Sequence, residues 1–324
     1  MKRRKFSKLS SAAGLAMLLG NYSCHAKDKS SAVGDATLPQ KKDPFFKLSL
    51  AQWSLNKEIR NGELDPFDFA KKANELGFAG VEYVSGLYYD WIDKQGDNGM
   101  QLFGDRILEE SEKYGVENLL IMIDNIGDLG IQDADKRQEG IENHKAWIDM
   151  AKRLGCHSIR LNLFGDGSYE EQLEASADSM KQLGTYGASK DIHVLIENHG
   201  GLSSDPDWVI KVLKKAGVTH IGTLPDFGNF CIEREGGARW SAPCVKEYTD
   251  YYDGVAKMMP YAKAVSAKSY NFDENGDETK IDYKKMLQVV KSAGYTGYIG
   301  VEYEGDEHGD KGSVATKDLL LKYA

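Results

Sequence analysis

Three carboxylates stand where short apolar runs of this 324-residue chain end. Glu197 closes "HVLIE", Asp226 follows "IGTLP", and Glu302 sits in "GYIGVEY". Lys268 in "VSAKS" holds the same kind of position, and His199 follows Glu197 by two residues. An apolar run that stops at an acid reads as the end of a buried strand, and several such ends can share one pocket. Bare anions a few Å apart at low dielectric repel strongly, so a bound cation or shared protons must accompany them. Hard oxygen donors suit a divalent ion such as Mn²⁺, Mg²⁺, Co²⁺ or Zn²⁺. Each acid alone could instead cap the helix after its strand; three at matching positions favour chemistry.

These groups can act together only if the fold brings them together. From Phe46 onward, short apolar segments alternate with amphipathic ones. The candidate strands are 47–53, 80–84, 117–124, 157–164, 193–198, 220–227, 262–269 and 297–303. Between them lie helical patterns such as "DPFDFAKKANELGF", which predicts an N-cap at Asp65, Pro66 in the first turn and a stop at Gly77. The joints "ELGFAG", "RLGCHS", "KAGVTH" and "SAGYTG" each put glycine where a helix C-cap takes positive φ. Eight such alternations predict a (β/α)₈ TIM barrel, one domain over 45–324. The competitor is a doubly wound open sheet, but "AQWSLNKEIRNG" after the first strand lacks a glycine-rich phosphate loop. In a barrel the C-terminal strand ends meet at one mouth, which would collect Gln52, Glu82, Asp124, Asn162, Glu197, Asp226, Lys268 and Glu302. Alternation groups Glu197 with Leu195 and His199, and Ser266 with Lys268.

In order and spacing, "VLIENHGG", "TLPDFGNF" and "GYIGVEYEG", with the openings "LSLAQWSL" and "ELGFAGVEYV", resemble the sugar phosphate isomerase/epimerase family of xylose isomerase-like barrels. The resemblance covers residues 46–322. It implies that Glu197, Asp226 and Glu302 bind one divalent metal, and that the two glutamates form the acid/base pair on opposite faces of the substrate. In that chemistry the metal would grip a ketone oxygen and its neighbouring hydroxyl and stabilise the enediolate formed when one carboxylate removes the α-proton, another carboxylate returning it. Two positions depart from the family pattern. Ser266 stands where a histidine ligand is usual on the seventh strand, and Asn229 where a histidine often follows the aspartate. A hydroxyl is a poorer divalent-metal ligand than an imidazole. Either the carboxylates hold metal with a substitute ligand, or the site works through Lys268. That lysine is therefore a catalytic candidate, neutralising the acids or polarising a substrate oxygen. His199 could supply the absent imidazole or bind substrate, and Asn162, Asn229, Glu82 and Trp53 complete the expected substrate-binding set.

Weaker candidates surround these. Trp53, Tyr83, Trp91 and Trp240 could stack on a sugar ring or simply pack. Glu233 and Arg234 could touch substrate or form an exposed helix-start ion pair. His144, His157 and His193 read as helix-surface or strand-base residues, and "FDENGDET" as a turn at Gly276 rather than a calcium loop.

The N-terminus reads as an export signal over 1–26: basic "MKRRKFSK" with a twin-arginine-like pair, a short apolar core, and Ala26 as the cleavage point. It is too short to span a membrane as a mature helix, and Cys24 offers lipidation as an alternative anchor. Residues 27–44 read as a flexible tether, and the mature protein as periplasmic. Losing residues 1–26 removes five basic residues and no acidic ones, leaving 36 basic against 50 acidic, a balance of −14. That charge repels phosphate backbones and argues against nucleic acid and an AP-endonuclease-like activity. Cys156, Cys231 and Cys244 leave room for one disulfide but show no metal-like spacing. Export favours a non-phosphorylated keto-sugar or keto-glycoside as the small-molecule partner. The expected function is carbohydrate isomerase or epimerase. A lyase eliminating from an oxidised glycoside is the alternative within the same chemistry, and a non-catalytic sugar-binding barrel the alternative of another class. Homo-oligomerisation is left open.

Overall fold

The computed structural model describes residues 43–324. The expected export signal and all but the last two residues of the tether lie outside them. Ten strands follow in chain order: β1 Lys47–Ala51, β2 Gly80–Val84, β3 Glu117–Ile123, β4 Ser158–Leu161, β5 His193–Glu197, β6 Ile221–Leu224, β7 Cys231–Arg234, β8 Cys244–Glu247, β9 Val265–Ser269 and β10 Tyr298–Tyr303. Eight of them form one parallel sheet in the order β6-β5-β4-β3-β2-β1-β10-β9. Its edges close on each other through the bridges Thr223↔Ala262 and Asp226↔Ser266, with Ser266 N donating to Pro225 O at 2.9 Å. The result is the expected TIM barrel, whose seventh and eighth staves are β9 and β10. β7 and β8 make a separate antiparallel hairpin between β6 and the next helix.

The strands are apolar on both faces because both are covered. One face packs under the surrounding helices in a large core that includes Val81, Ile121, Ile159, Val194 and Ile299. The other fills the barrel with a smaller cluster of Ala51, Val84, Leu120, Met122, Leu195, Leu224 and Ala264. Asp65 caps as expected, accepting from Phe67 N at 2.9 Å, and the four glycine joints take φ between 63 and 78°. Cys231 and Cys244 form a disulfide across the hairpin, while Cys156 is free and buried. "FDENGDET" is a turn, with Gly276 at φ 75° and Asp273 accepting from Asn275 N and Asp277 N. Glu233 and Arg234 lie on β7, where the chain enters a short 3-10 turn at Glu235–Gly237. Among the described residues no helix is long and apolar enough to cross a membrane.

His144 corrects one expectation. It is buried within the helix Ala134–Leu154, its Nδ1 2.7 Å from Gly140 O, instead of lying on the helix surface. Burial lowers its pKa to about 4. The unfolded chain therefore takes up this proton first as pH falls. Stability is complete above about pH 6.5 and is lost as pH falls from there through about 4, by about 3 kcal/mol in all. Urea unfolding at pH 7.5 and 4.5 should show a larger fall for the parent protein than for His144→Gln. Equal falls would clear the histidine of this role.

Candidate active site

Inward alternation brings six charged groups to the upper barrel interior: Glu82 on β2, Arg160 on β4, Glu197 on β5, Asp226 just past β6, Lys268 on β9 and Glu302 on β10. All six are buried. Glu197, Asp226 and Glu302 each offer an oxygen, and these atoms lie within 4.8 Å of one another. Lys268 Nζ stands 2.7 Å from Glu302 Oε1 and 3.2 Å from Glu304 Oε1. Arg160 Nη1 reaches Asp124 Oδ1 at 2.8 Å. Its Nε is 2.7 Å from Glu197 Oε2, an ion-pair distance without the alignment of a hydrogen bond. Asn229 Nδ2 donates to Glu197 Oε1 at 3.1 Å. Asn198 is structural: it donates to Asp226 O and Asn229 O and accepts from Asp226 N, locking the lips of β5 and β6 together.

The charge balance of this floor is incomplete. Among the described residues, Glu82, Glu197, Asp226 and Glu302 face only two buried cations, Arg160 and Lys268. Ser266 Oγ lies 2.6 Å from Asp226 Oδ2 and 3.0 Å from Glu302 Oε2, yet a hydroxyl has one proton and satisfies one of them at a time. Glu82 Oε2 and Glu197 Oε2 have no hydrogen-bond partner. A divalent cation held by Glu197, Asp226 and Glu302 would balance the charge and give Glu197 Oε2 a partner, so the donor set fits one.

Where no cation is held, protons take that part. Burial raises Glu197 to about 7, opposed by Arg160 and reinforced by Glu302. Burial also raises Asp226 well above the usual range, against Lys268, and lifts Glu82 to about 7. Burial pushes the same way on Glu302, but the Lys268 ammonium outweighs it and holds that carboxyl below its usual value. Lys268 stays charged because Glu302, Glu304 and Asp226 overcome its own burial and raise its pKa. The two glutamates are thus split into an acid-like and a base-like member.

Above the floor opens a cavity of about 1090 Å³, reached by Glu302, Arg160, Asp124, His199 and Glu304. Glu197, Asp226 and Lys268 lie just beneath. His199 has 26 % of its side chain exposed, and its Nδ1 is 3.7 Å from Glu197 Oε2 with no hydrogen-bond partner. Burial, aided by Arg160 and Lys268, lowers its pKa to about 4, so the ring is neutral. Trp53 lines the cavity and donates from Nε1 to Glu304 Oε1 at 2.5 Å; Asn229 lines it too.

Two expected substrate-binding residues take other places. Glu82 lies within the floor and is not among the cavity-lining residues, accepting from Ser49 Oγ at 2.6 Å. A Cβ at Gly300 would come within 2.5 Å of its Oε1, so glycine there makes the room. Asn162 turns to Asp124 Oδ1 at 2.9 Å and is not among the cavity-lining residues. Tyr83 and Trp91 pack against Phe69 and Phe67, whereas Trp240 lines the cavity. Arg160, Glu304, Tyr89 and Tyr270 escaped the sequence reading. Arg160 left a signal: a charge inside the apolar run "HSIRLNLF", on the same parity as Asn162.

A family model described as a xylose isomerase-like TIM barrel matches residues 70–323. The alpha subunit of a C-glycoside deglycosidase from Arthrobacter globiformis is 37% identical over 65 residues, 20% of this chain and 18% of that protein. The alpha subunit of a 3'-dehydrocarminate deglycosidase from Microbacterium sp is 44% identical over 48 residues, 15% of this chain and 14% of that protein. The chain thus matches less than a fifth of the length of either relative. Among solved structures, 3-keto-D-glucoside 4-epimerase from E. coli shares the fold with a TM-score of 0.63 at 12% identity, over 85% of this chain and 98% of that one.

Proposed function

The chain belongs to the xylose isomerase-like TIM barrel family, and from that premise we propose that it is an exported carbohydrate isomerase or epimerase acting on a keto-sugar or keto-glycoside. One arrangement carries this: Glu302, ion-paired with Lys268 at 2.7 Å, reaches the cavity, while Glu197 lies across the same floor behind His199, the two offering oxygens within 4.8 Å of each other. Glu302 removes the proton from the carbon beside the substrate ketone, and the electron pair moves to the ketone oxygen. Arg160 reaches the cavity and offers N–H donors where that oxygen becomes negative. The proton returns from Glu197, directly or through His199. Return to the other face of the same carbon is epimerisation; return to the neighbouring carbon is isomerisation. A divalent ion held by Glu197, Asp226 and Glu302 would add Lewis-acid polarisation of the ketone. Export is supported by the basic and apolar N-terminus and by the Cys231–Cys244 disulfide, which persists in oxidising compartments.

Incubation with 3-keto-glucose and 3-keto-glucosides in D₂O, followed by NMR, tests the proposal. Deuterium should enter at the carbon beside the ketone, and product without deuterium there would refute proton abstraction. Dialysis against EDTA is expected to cut turnover by at least about tenfold, restored by Mn²⁺. Full turnover in metal-free protein would leave Lys268 and Arg160 as sufficient cations.

A lyase reading has its own support in the partial matches to two deglycosidases, one named for a 3'-dehydro glycoside. Where the carbon next to the enediolate carries a glycosidic oxygen, the same electrons can expel it. Released aglycone in the NMR experiment would select elimination; a new stereoisomer would select epimerisation.

A further inference from the structure

The cavity, at about 1090 Å³, lies just above the usual range for small-molecule sites, roughly 300–1,000 Å³. One side of it is built by a segment that the barrel itself does not need. The hairpin β7–β8 is closed by Cys231–Cys244 across a separation of 13 residues, and Trp240 lies inside that closed loop. Trp240 faces the cavity yet stays 38 % exposed, one of three large apolar side chains so exposed among the described residues. Its ring is held at 4.7 Å from His199 and edge-on to Phe164 at 5.1 Å. Arg239 braces the assembly from behind, 4.2 Å over Phe164 and paired with both oxygens of Asp128. Arg234 lines the same wall, one amine on Ala242 O and its buried Nε without a hydrogen-bond partner. His199 joins this wall to the floor, touching Trp240 on one side and Glu197 on the other.

We infer that this wall is a subsite for the part of the substrate beyond the reacting sugar: a ring stacked on Trp240, so that the substrate is a glycoside with a ring-bearing second moiety and not a free monosaccharide. The inference rests on the keto-glycoside form of the proposed function. An indole presented at a cavity and fixed by neighbours suits the flat apolar face of a ring, whether an aromatic aglycone or a second sugar. Covalent closure of the loop lowers the ordering cost of binding there. The Arg234 guanidinium, which lines the cavity, supplies a donor for an oxygen on that ring.

Calorimetric titration of unoxidised probes tests this without requiring turnover. The probes are 4-nitrophenyl β-glucoside, cellobiose, methyl β-glucoside and glucose. The first or second should bind about tenfold more tightly than methyl β-glucoside, which identifies the second ring as aromatic or sugar. Trp240→Ala should reduce that advantage to about twofold or less, Trp240→Phe should keep most of it, and Cys231→Ser/Cys244→Ser should weaken it. Equal affinities for all probes, binding of none, or an undiminished advantage in Trp240→Ala would each overturn the subsite. Deuterium exchange with loss of the advantage leaves an enzyme of monosaccharides. A Trp240-dependent advantage without exchange keeps the subsite and removes the proposed chemistry.

Discussion

Glu302→Gln is expected to lower kcat by about 10³-fold, with KM changed little. Glutamine keeps the shape and can still accept from Ser266 Oγ, while Lys268 keeps Glu304 at 3.2 Å. The variant should therefore fold, losing about 1–3 kcal/mol from the broken ion pair at 2.7 Å. What disappears is the one floor carboxyl that is both open to the cavity and held ionised by an ammonium. Solvent exchange of the α-proton should fall in parallel with turnover, since both use the same proton transfer. Glu304→Gln is the control: its carboxyl also touches Lys268 and lines the cavity but is 30 % exposed, and its loss should cost less than about tenfold. Steady-state kinetics on both variants decides the matter. A Glu302→Gln protein that keeps more than a tenth of the parent kcat would put the base elsewhere.

Arg160→Met should be the most damaging substitution to the fold itself. It leaves Glu197 without its cation and Asp124 without its closest one, inside a floor that water does not reach freely. Removing one partner of a buried pair costs about 3–5 kcal/mol, equivalent to a fall in Tm on the order of 10 °C for a domain of this size. The deficit should depend on pH in a definite direction. Glu197 already has a folded pKa raised to about 7, with Arg160 as the group opposing the rise, so the variant raises it further. A carboxyl whose folded pKa is raised contributes stability that is full below its unfolded pKa and is lost as pH rises through the folded value. Measured on EDTA-treated protein, the variant should therefore trail the parent more at pH 8 than at pH 5. The same gap at both values would show that Glu197 is not the stranded charge.

The barrel was legible because its signals are local. Alternation between short apolar runs and capped amphipathic segments marks strands and helices wherever they later sit, and Asp65, Gly77, Gly155, Gly217 and Gly294 perform the capping expected of them. The closing carboxylates were legible for a related reason: a strand that ends in Glu197 or Glu302 points it inward by the same alternation that buries Leu195. Arg160 was not, because an arginine in an apolar strand looks like a local exception until Glu197 and Asp124 come from two other strands to meet it. Glu82 and Asn162 were placed at the mouth by strand number alone. Register decided otherwise, leaning Glu82 beneath Gly300 and turning Asn162 to Asp124.

The hairpin shows the same division. Cys231, Cys244 and Trp240 could be counted in the chain, and one disulfide was open to them. That the pair ties a hairpin over the mouth, with Trp240 beside His199, depends on distances between residues far apart in sequence. What the chain alone settled is the kind of element at each position and the inward or outward parity of its side chains, because both follow from nearest-neighbour sterics and burial. Only the closed barrel decided which charges meet. Splitting Glu197 from Glu302 takes a lysine on one neighbouring strand and an arginine on another, and electrostatic pairing at 3 Å is a property of space, not of sequence separation.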